Sequence, residues 1–297
     1  MKGIKMKKLF AFLLLAMLLV SSFIGCAGDD GNALPPVVTQ GIPEEKVKST
    51  IVANEFTIDI HTTYAEIKAY AGKETEPEIP ESAAGLPVKL IGEEAFKNNL
   101  KITRITLPKS TISIDRYAFE GCSSLTEVVF NDGLESISDY AFRNSGLTVL
   151  NLPDSVSKIG KYSFYGVKIT HLKIPANVSR LNKYAFYGCS ELKAIEFCER
   201  LYEISENSFA GCTSLTEIII PKTVTKIEGY AFSYCSSLTK IVIPSETENI
   251  GEGVFVGCSG LTVYAPGGSE AERISGRNNY KFEACDYDAA AEAEGEK

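Results

Sequence analysis

Leu215-Thr216-Glu217-Ile218-Ile219-Ile220-Pro221, then Val224, Ile227, and Tyr230-Ala231-Phe232 running to Cys235, is the stretch that decides the fold, because the chain repeats it. Phe96, Phe119, Phe142, Phe164, Phe186, Phe209, Phe232 and Phe255 recur with steps of 23, 23, 22, 22, 23, 23 and 23 residues. Related phrases start at Ile102, Leu125, Leu147, Ile169, Leu192 and Leu238, and a degenerate first copy carries Val88, Ile91, Ala95 and Phe96. A fixed period of this kind belongs to a stack of equivalent coils, in which each coil buries its apolar groups against the coils above and below. Function is then expected on an extended surface rather than in a single pocket.

Within each unit, Thr216-Glu217-Ile218-Ile219-Ile220 is short, β-branched and partly alternating, which is strand chemistry. Proline closes the strand, since it cannot donate to a ladder. The rest of the unit has apolar residues every third or fourth position over barely two turns. Bends, short strands or 3-10 segments are expected there, and not long helices. Gly121, Gly188, Gly211 and Gly257 sit where the chain turns back to the next strand. The reading is a solenoid of about eight or nine coils with one parallel sheet, on the order of 40 Å long at about 4.8 Å per coil.

The ends are different text. Lys2, Lys5, Lys7 and Lys8 precede an apolar run from Leu9 to Val20, then Ser21-Ser22-Phe23-Ile24-Gly25-Cys26. The run is too short to span a bilayer comfortably and has the form of a signal peptide. Removing residues 1–25 takes away four of the 30 basic residues and none of the 38 acids, leaving a formal charge of −12. Such a chain is repelled by nucleic acid and anionic lipid, so no nucleic-acid partner is expected. Residues 26–50 read as a flexible tether, 51–77 as N-terminal cap strands, 78–266 as the repeats and 267–285 as a C-terminal cap. The acidic, alanine-rich residues 286–297 read as a frayed or disordered tail, with a short helix as the alternative.

The phrase Leu-x-x-Ile-x-Ile-Pro…Ile-x-x-x-Ala-Phe-x-Gly-Cys resembles the BspA-like, treponemal-type subclass of bacterial leucine-rich repeats over about residues 78–266. Gly267-Gly268-Ser269 with Tyr280-Lys281-Phe282 is similar to that family's closing segment. Phe23-Ile24-Gly25-Cys26 resembles a lipobox, with Cys26 lipidated as the first mature residue. The resemblance implies a lipid-anchored protein of the cell surface or outer membrane of a bacterium. It further implies adhesion to host or bacterial surface proteins. Neither cofactor nor metal is implied.

Three hypotheses place function on different residues. In the first, adhesion or protein–protein interaction uses outward strand positions. These change from coil to coil and give candidate contacts Val129, His171, Lys173, Glu196, Glu217, Ile219, Lys240 and Val242. The columns they belong to mix exposed apolar groups with charges. The second is glycan capture on the column Tyr117, Tyr140, Tyr162, Tyr184 and Tyr230, for which packing at the coil edge is the plainer explanation. The third is a cell-envelope structural protein without a specific ligand. The threonine column Thr103, Thr126, Thr148, Thr170, Thr216, Thr239 and Thr262 suits strand packing. Cys122, Cys189, Cys212, Cys235 and Cys258 share one coil position, which Ser145 and Val167 fill elsewhere. Valine there points to a small buried slot holding structural free thiols. Seven cysteines besides Cys26 cannot all pair within one chain. His61 and His171 have no acid and nucleophile at suggestive spacing, so no catalytic residue and no enzymatic activity are expected.

Overall fold

A computed structural model describes residues 41–295. The signal segment, Cys26 and most of the tether lie outside the described residues.

The described chain opens with three antiparallel strands, β1 (Ser49–Ala53), β2 (Phe56–Ile60) and β3 (Ala65–Tyr70). Ala53 pairs with Phe56 across Asn54 and Glu55, whose φ values of 48° and 66° are those of a tight hairpin turn. In β2, Phe56, Ile58 and Ile60 are buried and alternate with half-buried Thr57 and Asp59, so one face lies on the core. β3 then pairs in parallel with the strand Leu86–Ile91, which converts the antiparallel cap into the parallel stack.

Each regular coil contributes two short parallel strands. In the coil that begins at Leu215, Glu217–Ile219 pairs with Lys240–Val242, placing Glu217 opposite Lys240 and Ile219 opposite Val242. Pro221 ends that strand, and Val224 N donates to Pro221 O at 3.0 Å to turn the chain. Lys226–Ile227 then pairs between Glu203–Ile204 and Asn249–Ile250. Two series of narrow parallel ladders therefore run along the solenoid, the outward one in three segments and the other in two.

No 3-10 helix forms among the described residues, and the hydrogen bonds say why. Along the Phe119 turn, Ala118, Glu120 and Cys122 N–H donate locally to Asp115, Tyr117 and Phe119 carbonyls. The alternate N–H groups of Tyr117, Phe119 and Gly121 reach across to Asp139, Ala141 and Arg143 of the next coil at 3.3, 2.7 and 2.8 Å. Alternation satisfies every donor between coils and inside them, whereas a 3-10 run would spend all of them locally.

The phenylalanine column is the axis of the core. Successive rings from Phe96 to Phe255 stack with centroids 4.9–6.2 Å apart and planes within 18° of each other. Phe56 closes the column edge-on at one end and Tyr280 at the other. Each buried ring contributes roughly 1.5–3 kcal/mol before ordering costs.

The step from Phe142 to Leu147 is one residue shorter than that from Phe119 to Leu125. No strand forms at Val149–Asn151, although the next coil has the same short step, from Phe164 to Ile169, and does form one. The outward ladder resumes at His171–Lys173.

At the far end, Ser269 caps α1 (Glu270–Asn278) and Asn279 ends it in the left-handed conformation. Ala271, Ile274 and Ser275 bury its inner face. The strand Lys281–Ala284 pairs with Thr262–Ala265 and extends the outward ladder. The last element of the described residues is a second helix, α2 (Tyr287–Gly295), the short helix that the sequence left as the alternative for this acidic segment.

Candidate binding face

The outward ladder presents two columns of side chains. The first runs Arg104, Glu127, Val149, His171, Ala194, Glu217 and Lys240. The second runs Thr106, Val129, Asn151, Lys173, Glu196, Ile219, Val242 and Tyr264. Strand pairing brings His171 opposite Ala194 and Lys173 opposite Glu196, and Val242 opposite Tyr264. The intervening residues Ile105, Val128, Leu172, Ile218 and Ile241 are buried, so alternation sets which groups face out.

The candidate residues meet three fates. At the N-terminal end, Arg104 and Glu127 form an ion pair at 3.1 Å beside half-buried Val129. In the middle, His171, Lys173 and Glu196 are exposed, and Val149 is 48% exposed. His171 Nδ1 lies 3.0 Å from Thr170 Oγ1. At the C-terminal end, Glu217 is exposed, Ile219 is half-buried, and half-buried Lys240 lies over the Tyr264 ring at 5.9 Å.

Val242 corrects the expectation of an exposed contact: its relative exposure is 0%. Helix α2 packs on the strands Lys240–Val242 and Thr262–Ala265. Tyr287 donates its hydroxyl to Ile220 O at 2.8 Å, and Asp288 pairs with Lys222 at 2.6 Å. Burial pushes the Tyr287 hydroxyl up to about 12. Tyr287 and Tyr264 were not among the sequence candidates. The signal for the first was present, since Tyr287 is the sole aromatic residue in 286–297.

A second correction concerns Thr262. The last repeat has one residue fewer between Leu261 and Pro266 than its predecessor between Leu238 and Pro244. Thr262 accordingly pairs with Lys240 in place of Thr239, and it is buried. Elsewhere the threonine column is structural. Thr126 and Thr239 hydroxyls donate to Thr103 O and Thr216 O of the preceding coil at 3.2 and 3.3 Å.

The tyrosine column lies at the turn edge. Tyr117, Tyr140, Tyr162 and Tyr184 stack at 5.0, 4.9 and 4.5 Å with planes within 19°. Tyr165 and Tyr187 form a parallel second pair at 5.1 Å. Lys97 sits 4.7 Å over the outer face of Tyr117. Tyr140 and Tyr162 each spend both faces on stacked neighbours, which leaves them edges and hydroxyls, whereas Tyr184 at the end of the run is stacked on one face. A sugar that stacks on an aromatic ring needs a face. Tyr230 stands apart, 41% exposed, because Asn207 interrupts the column.

Cys122, Cys189, Cys212, Cys235 and Cys258 are buried, and each thiol donates to the carbonyl of a column phenylalanine, as from Cys122 to Phe96 O at 3.0 Å. All seven described cysteines are free. Burial pushes Cys122 up to about 12 and Cys212 well above the ordinary thiol range. His61 is buried between Glu66 Oε2 and Glu45 O, each at 3.1 Å, and stacks on Tyr64, which makes it a tie within the cap. A cleft of about 580 Å³ beside α1 is lined by charged groups that largely pair with one another, Lys183 with Glu206 and Lys226 with Glu228. No group of three or more His, Cys, Asp or Glu side chains is placed to hold a metal among the described residues.

A parallel-strand solenoid whose regularly repeating columns face inward and whose variable columns face outward is a leucine-rich repeat scaffold. The chain belongs to the family described as the BspA type leucine rich repeat region, which matches in six copies over residues 89–168 and 157–287. It is similar to the crystal structure of a T. pallidum leucine-rich repeat protein, at 24% identity and a TM-score of 0.52, over 79% of this chain and 98% of that one. A leucine-rich repeat protein from Eubacterium ventriosum is 19% identical over 73% of each chain, with a TM-score of 0.48. A leucine rich cell surface protein from Faecalibacterium prausnitzii is 21% identical over 77% of this chain and 97% of that one, with a TM-score of 0.34. No curated protein shows significant similarity to the chain.

Proposed function

We propose that this is a lipid-anchored surface protein of a bacterium that binds protein partners through the middle of its outward strand face. The observation that carries this reading is the contrast between columns. Phenylalanine repeats in every coil of the core, while Val149, His171, Lys173, Ala194 and Glu196 differ from coil to coil and are exposed. Lys173 and Glu196 stand opposite each other in the ladder, are exposed, and form no ion pair among the described residues, which favours their use by a partner. An acidic chain with such a face suits specific contacts better than generalised adhesion to polyanions. The doubly stacked rings of Tyr140 and Tyr162 weigh against glycan stacking along the interior of the tyrosine ladder. A purely structural envelope role is the reading to beat.

The test is a binding screen of the full mature chain against host matrix proteins, bacterial cells and glycans, repeated with Lys173→Glu/Glu196→Lys. Loss of a protein ligand in the charge-swapped variant, with its thermal midpoint kept, supports the face. Binding that survives the swap removes it. Anchoring is tested separately: Cys26→Ala should abolish labelling by a fatty-acid probe, and continued labelling would sink the lipobox assignment.

A further inference from the structure

The two C-terminal helices are built differently. α1 has a serine cap and buries Ala271, Ile274 and Ser275 against the last coil. α2 has nine residues, is mostly alanine and acid, and carries no basic residue in its last turn. A helix that short does not hold itself in water, where about 12–15 residues are marginal, so it persists only through what it touches. Its anchors gather at its first turn. The Tyr287 hydroxyl bonds Ile220 O, Asp288 pairs with Lys222, and the Lys222 ammonium lies 5.4 Å from the Tyr287 ring centre. The segment leaves the solenoid at Cys285, whose N–H donates to Ala265 O at 3.0 Å.

The helix packs on Lys240–Val242 and Thr262–Ala265, and its Tyr287 hydroxyl reaches Ile220 O beside Ile219, which is the apolar end of the outward columns. Ile219, Val242 and Tyr264 adjoin one another through strand pairing. Among the described residues the same columns from Thr106 to Glu196 carry no such cover. We infer that α2 is a removable cover: the chain's own C-terminal segment occupies the last third of the strand face, and its departure uncovers an apolar docking patch of Ile219, Val242 and Tyr264 flanked by Lys222 and Lys240. The resident segment also displays the chemistry the patch accepts, an aromatic hydroxyl followed by a carboxylate. That the uncovered patch serves binding rests on the reading of the strand face given above. The cover itself does not.

The experiment compares the full chain with Tyr287→Ala/Asp288→Ala, using anilinonaphthalene sulfonate as an apolar, anionic probe and a glutamate-specific protease. The variant should lose its tail to the protease and gain dye fluorescence severalfold, with its thermal midpoint lowered by about 2–12 °C and its single cooperative transition kept. Adding Ile219→Asp to the variant should cancel the dye gain. A synthetic 286–297 peptide should also cancel it when supplied near millimolar, roughly the level at which a short tether presents its ligand. Unchanged dye binding and cleavage would mean that α2 does not cover the patch. A collapse of the midpoint would mean that α2 is part of the cap and not removable. Neither readout needs a partner, so failure here is distinct from failure of the Lys173/Glu196 swap.

Discussion

Tyr162 and Tyr184 stack with ring centroids 4.5 Å apart and planes 4° apart, and both hold their backbones left-handed, at φ 56° and 60°. The same coil position is left-handed throughout: Glu94, Tyr117, Tyr140, Asn207, Tyr230 and Gly253 occupy it elsewhere. A side chain there costs roughly 1–2 kcal/mol, which glycine avoids, and the ring stack offsets that cost. Both Tyr162→Ala and Tyr162→Gly lose the stack, but only alanine keeps the strained backbone. Urea denaturation should find the glycine variant more stable than the alanine variant by about 1 kcal/mol. The opposite order would contradict the left-handed assignment.

Phe186 lies between Phe164 and Phe209 at 5.3 and 5.5 Å and is fully buried. Phe186→Ala removes a ring from the middle of the stack and leaves a cavity that the flanking rings fill only in part. A loss of about 3–5 kcal/mol is expected, read as a lower urea midpoint at unchanged slope. An unchanged midpoint would mean that the column does not carry the core.

The fold was legible because each core column repeats a residue type with the coil, so Phe186 or Cys212 is read several times over. The covered end of the binding face was not. Val242 has strand neighbours that alternate like those of Val129, and nothing in its own coil distinguishes the two. The helix that packs on its strand starts at Tyr287, 45 residues further on, in a segment whose acidic, alanine-rich composition reads as solvated. The left-handed backbone of the tyrosines was equally hidden, since tyrosine is not a residue that announces positive φ. Gly253 in the same column was the local hint.

The buried thiols make stability fall in alkali. Cys122 titrates near 9.0 when unfolded and is pushed up to about 12 in the folded chain by burial. Between these values the unfolded chain gives up a proton that the folded chain keeps, so rising pH favours unfolding. The contribution is fully present below pH 9 and is lost progressively toward pH 12. Cys122→Val, which copies Val167 in the equivalent slot, should flatten the decline of the thermal midpoint between pH 9 and 11 relative to the parent. A decline of the same steepness in both proteins would remove Cys122 as a source.

Val129 and Val242 occupy one column, but α2 covers only the second. Val129 is half-buried, so Val129→Asp can turn its carboxylate to water at a cost within about 1 kcal/mol. At Val242 the same carboxylate faces a choice. It can remain beneath the helix, where an unpaired charge is costly, or it can displace α2 and reach water. The cheaper route sets the penalty, and lifting a short helix held by Tyr287 and Asp288 is the cheaper one. Val242→Asp should therefore lose about 1–3 kcal/mol more than Val129→Asp, without unfolding the solenoid. Paired urea titrations with circular dichroism of the native baselines check both parts. Equal penalties for the two substitutions would mean that solvent already reaches Val242, and the outward face would then be open from end to end.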